Sequence, residues 1–228
     1  MRRYPRRFRA LAAGLAALAG YVDAVGFLTL GGFFVSFMSG NSTRLAVGLA
    51  FHTHAAGIAG GLVATFVAGV VAGTLVAGAA GVRRAPVVLG CVAALLAIAA
   101  LVAQMGSGMA AAFVLAAAMG AENAVFERDG EVAIGLTYMT GTLVKLGQRL
   151  AALVRGEDRR GWAGHFVMWV SLTAGAALGA SMHQWIGGAA IWLAAALAAT
   201  LAVVAGAIGP IGPALDPVSR SGRGAAAG

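Results

Sequence analysis

Six apolar runs, at residues roughly 10–30, 55–80, 86–104, 108–126, 161–182 and 185–208, decide most of what this chain can become. Each approaches or exceeds the 20 or so residues that a helix needs to cross a bilayer. Together they hold Asp23 and Glu122 as their sole charged side chains. Only 11% of the 228 residues are charged, against 60% hydrophobic, whereas soluble domains carry about 25% charge. So small a supply cannot coat a water-facing surface, and six crossings with short loops leave no length for a separate soluble domain. The sequence therefore predicts an all-α, polytopic membrane protein in contact with the lipid bilayer.

The net charge of +8 does not point to nucleic acid, because the basic residues are not gathered on a soluble module. They sit in the gaps between apolar runs, where charge sets topology. Two further segments, 33–50 and 132–153, are apolar but broken by polar residues and glycine. If they do not cross while the six runs do, every basic residue except Arg44 falls on the cytoplasmic side. If both crossed, Arg83, Arg84 and Arg128 would move outside. The expectation is six spans with both termini cytoplasmic. The arginines at 2, 3, 6, 7 and 9 then read as an anchor for the first helix, since its apolar character continues well past the signal-like Ala17-Leu18-Ala19. Cys91 reads as a small buried apolar residue, and the tail at 211–228 as disordered and cytoplasmic.

The chain also matches itself. Gly20-Tyr-Val-Asp-Ala-Val25 aligns with Gly120-Ala-Glu-Asn-Ala-Val125, which sets Asp23 opposite Asn123. Phe37-Met-Ser-Gly-Asn41 then aligns with Tyr138-Met-Thr-Gly-Thr142, and Arg44-Leu45 with Lys145-Leu146. Residues 1–105 and 106–210 thus form two repeats, each a helix, an interrupted segment and two more helices. With six spans the first and fourth helices run in opposite senses, so the repeats are inverted, each with a broken or re-entrant half-helix. Secondary transporters are often built on that plan.

GYVDAVGFLTLGGFFVSFMSGN, with ENAVF and LTYMTGTLVKLG further on, resembles the YoaK-like bacterial membrane proteins, a domain of unknown function. The resemblance covers nearly all of residues 10–210 and implies a six-span inner-membrane protein without an agreed substrate. Ser39 stands where that family more often has threonine, and Glu122 where glutamine is expected.

Ser39-Gly40-Asn41 and Thr140-Gly141-Thr142 suit the start of a half-helix, since hydroxyl and amide side chains cap N-termini and glycine admits a bend. Two such ends meeting at mid-membrane would offer free N–H groups and positive dipole ends to an anion or a polar carbonyl. Arg44 and Lys145 would bias the site toward negative charge, and Asn123 could donate to the half-helix begun by Thr140. The competing reading makes the hydroxyls and glycines packing residues and the two basic residues interfacial anchors. For Asp23, pairing with Arg44 and proton coupling are both open. Glu122, near a helix end, reads as solvated at the interface.

No catalytic constellation, phosphate loop or clustered metal-ligand set appears. His52, His54, His165 and His183 are scattered. The expectation is no enzyme, no cofactor and no metal, but a carrier of a small polar or anionic solute. The alternative is a non-transporting assembly or regulatory protein that forms homo-oligomers through its Gly-rich helix faces, such as Gly57/Gly61, Gly69/Gly73 and Gly175/Gly179.

Overall fold

The computed structural model describes residues 5–128, 131–132, 138–157 and 161–210. The expected tail at 211–228 and the stretch 133–137 of the second interrupted segment lie outside the described residues.

Eight α-helices form among the described residues. They are α1 (Arg6–Thr29), α2 (Met38–Ala50), α3 (Ala55–Ala80), α4 (Arg84–Gln104), α5 (Gly108–Glu122), α6 (Met139–Val154), α7 (Ala163–Ile186) and α8 (Ala190–Ile208). A 3₁₀ turn, Asn123–Phe126, extends α5. It leads into a two-residue antiparallel ladder, β1 (Glu127–Arg128) against β2 (Glu131–Val132). Alanine and leucine favour the helix strongly, and a bilayer forces backbone groups to pair within it.

Four stretches are long and apolar enough to cross a membrane: Arg6–Thr29, Ala55–Gln104, Gly108–Phe126 and Ala163–Ile208. The second and fourth each contain two helices separated by a glycine at positive φ, Gly81 (φ 54) and Gly187 (φ 56). Without a Cβ these two residues turn the chain sharply, and a three-residue 3₁₀ segment then starts α4 or α8. α2 and α6, with 13 and 16 residues, are too short to span.

Large apolar side chains such as Leu75, Leu101, Trp185 and Val203 lie on the outer surface. Helices that are apolar all round belong in lipid or in a protein core. Cys91 is also exposed, contrary to its expected burial. The inward positions of α4 are Val88, Leu89, Val92, Leu96 and Ala99, and position 91 falls outside that helical stripe.

Glycine sets how the helices meet. A Cβ at Gly20 would collide with the Leu172 carbonyl and crowd the Ala176 amide on α7. A Cβ at Gly120 would collide with the Phe66 carbonyl and crowd the Val70 amide on α3. Gly175 and Gly179 abut Ala17 and Tyr21, just as Gly69 and Gly73 abut Ala117 and Ala121. Residue numbers rise together across both contacts, so α1 runs parallel to α7, and α3 parallel to α5. α4 and α8 pack in the opposite sense, with Gly206 facing Pro86 and Gly188 facing Ala103. Two of the three glycine pairs singled out in the sequence are therefore filled within the chain. Of the third, Gly61 meets the Phe113 ring and Gly57 faces open space.

Candidate functional site

The site begins where α1 gives way to α2. Asp23, on the last turns of α1, accepts hydrogen bonds from the backbone N–H groups of Val35 and Ser36, each at 2.8 Å. Asn41, on the first turn of α2 and 0% exposed, grips the same loop from the other side. Its Oδ1 accepts from Phe34 N–H at 3.1 Å, and its Nδ2 donates to the Phe34 carbonyl at 2.6 Å. Gly40 closes the corner, since a Cβ there would press on the Phe34 and Phe37 rings. Arg44 does not pair with Asp23. Its guanidinium lies 4.9 Å from the Phe33 ring centroid, a cation–π contact.

Beyond this corner lies a cavity of about 500 Å³. Residues 36–39, at the start of α2, form one wall and residues 138–141, at the start of α6, another; Asn123, Phe66 and Val70 complete the lining. The first hydrogen bond of α6 runs from Thr142 N–H to the Tyr138 carbonyl at 3.0 Å. The amides of Met139, Thr140 and Gly141 consequently have no acceptor within the helix. Asn123 is 6% exposed. Its Nδ2 donates back to the Met119 carbonyl at 2.9 Å, while its Oδ1 is buried without a partner. A buried acceptor in that state is costly to leave unmatched.

A second cavity, about 310 Å³, occupies the corresponding place on the other side. Asp23, Phe27 and Phe34 line it together with Leu172 and Ala176 of α7. Leu172 and Ala176 touch Gly20 as Phe66 and Val70 touch Gly120, so Asp23 and Asn123 hold equivalent positions above equivalent walls.

Of the residues singled out from sequence, Ser39, Asn123, Thr140 and Gly141 meet at the larger cavity. Asp23 faces the smaller one, Asn41 and Gly40 build the α2 corner, and Thr142 closes the first turn of α6. Arg44 and Lys145 line neither cavity, and Lys145 is exposed on α6. Glu122 is not solvated as expected: it is 0% exposed, and neither carboxyl oxygen has a partner. The cause is the 3₁₀ extension, whose four residues are all buried, so that α5 ends inside the bundle. Phe66 and Val70 were missed because generic apolar residues carry no local signal. Their counterparts Leu172 and Ala176, at the same offset as Gly69 from Gly175, would have found them.

Apolar outer faces, four membrane-length apolar stretches and a largely apolar cavity with a few polar groups at two helix starts define a helical transmembrane protein. Residues 11–204 match the family described as "Protein of unknown function (DUF1275)", and the chain belongs to that family. It is 41% identical over 201 residues to "UPF0700 transmembrane protein RA0705" of Rhizobium meliloti (strain 1021), covering 86% of this chain and 85% of that one. No solved structure matches.

Proposed function

We propose that the chain is a secondary carrier, or channel-like carrier, of a small polar or anionic solute in a bacterial inner membrane. The observation that carries this reading is the cavity on which the starts of α2 and α6 converge, one from each half of the sequence. Six helices span, both termini are cytoplasmic, and α2 and α6 are re-entrant. Helix directions support an inverted repeat. With α1 parallel to α7, α3 parallel to α5, α4 opposed to α8, and tight turns reversing α3 into α4 and α7 into α8, the helices α1, α3 and α4 each oppose their counterparts α5, α7 and α8.

The solute's acceptor group takes the amides that open α6, where the helix dipole favours negative charge. Asp23 indicates how: in the first half the protein's own carboxylate takes the two amides just before α2. The second half has the neutral Asn123 instead. Among the described residues, no Asp, Glu, His, Lys or Arg lines the larger cavity, which suits binding rather than bond-making.

Proteoliposome uptake across neutral, anionic and cationic solutes tests the reading. Accumulation is expected for a polar or anionic solute, reduced at least severalfold by Ser39→Ala with Thr140→Val. If no solute accumulates, the carrier reading fails. Single cysteines replacing Ala50 and Leu150 in a Cys91→Ala background should label from opposite sides of the membrane. Labelling from the same side would remove the inverted repeat.

A further inference from the structure

At the opposite end of the α1–α7 pair from Asp23 lies a third cavity, about 270 Å³. Arg6 and Arg9 of α1 line it, with Ala163 and Gly164 opening α7 and Ala13, Val167 and Met168 forming an apolar floor. α1 and α7 run parallel, so two helix starts share this end. Arg9 Nε is buried with no hydrogen-bond partner. The first bonds of α7 run from His165 and Phe166 back to the Trp162 carbonyl, which leaves the Ala163 and Gly164 amides without acceptors in the helix. Trp162, edge-on to the Phe166 ring with centroids 5.8 Å apart, is the aromatic type that sits at a membrane–water interface.

We infer that this cavity holds the phosphate of an anionic phospholipid, with the acyl chains lying along the apolar groove between α1 and α7. The unpartnered Arg9 Nε, the Arg6 side chain and the first residues of α7 border the place assigned to the phosphate, and Arg binds phosphate in a forked geometry that satisfies several donors at once. The floor below them is apolar, so the site matches a headgroup continuous with a chain better than a free ion. Basic pockets between transmembrane helices favour anionic headgroups for the same reason. This site is independent of the proposed solute cavity, and its occupancy requires no transport.

Native mass spectrometry of the full chain, delipidated and then offered phosphatidylglycerol and phosphatidylcholine in equal amounts, provides the test. Phosphatidylglycerol should be retained preferentially. Arg6→Ala with Arg9→Ala should reduce that preference by about 25-fold, given roughly fivefold per basic residue at an anionic surface. Arg155→Ala, at an exposed Arg155–Glu157 pair elsewhere, should leave it unchanged. Lysine at both positions covers the case in which the alanine pair does not fold, and should retain part of the preference. Equal retention of the two lipids, an unchanged preference in the double variant, or displacement of lipid by millimolar inorganic phosphate would each overturn the inference.

Discussion

The two helix starts that face the larger cavity differ in one atom's worth of chemistry. In the first half a carboxylate, Asp23, accepts from two backbone amides and ties the loop before α2 to α1. In the second, Asn123 turns its Nδ2 onto its own helix and keeps an unmatched Oδ1 at the cavity. The surrounding walls correspond glycine for glycine. Near-identical packing can therefore carry different polar contacts: the acid of one half holds the loop after its helix, while the amide of the other turns back on its own helix. A repeated fold does not need a repeated site.

The sharpest way to break this comparison is to exchange the charges. Asp23→Ala removes two charge-assisted hydrogen bonds, each worth roughly 1.5–3 kcal/mol, and should destabilise the protein by about 3–6 kcal/mol in denaturant titration. Hydrogen exchange at Val35 and Ser36 should rise with it. Asn123→Asp, in turn, supplies a tethered anion beside the α6 amides and should suppress uptake while leaving the fold intact. If Asn123→Asp transports normally, the two halves are not related as lock and occupied lock.

Backbone packing comes next in size. Gly20→Ala and Gly120→Ala force a methyl group against a facing carbonyl in equivalent places, and overpacking of this kind costs about 1–3 kcal/mol. Equal losses in thermal unfolding would extend the correspondence to energetics; a large inequality would confine it to geometry. The smallest effect is expected at the turns. Gly81→Ala and Gly187→Ala place a Cβ where φ is 54 and 56, at about 1–2 kcal/mol each, again measured as paired shifts in melting temperature.

Much of the helix layout was legible because bilayer thickness sets a length that apolar runs must meet. The paired hydroxyl–glycine motifs also led to Ser39, Thr140 and Gly141, since helix starts need those residue types wherever they fall. The contact Arg44 makes was not legible, because cation–π docking on Phe33 depends on a corner that no local pattern specifies. Glu122 was misjudged because the 3₁₀ extension past α5 moves its carboxyl inward. In a chain this rich in alanine and glycine, helix partners are chosen by the absence of side chains, and an absence is hard to read.

The parallel pairing of α1 with α7 also governs the order in which the chain can be put together. Synthesis delivers α1 first, yet Gly20 meets its matching surface on Leu172 and Ala176 only after every helix from α2 to α6 has emerged. α3 finds α5 much earlier, so the wall beneath Asn123 is complete while the Gly20 face of α1 still lacks α7. Nascent chains fold from the N-terminus where they can. This one must finish its beginning last.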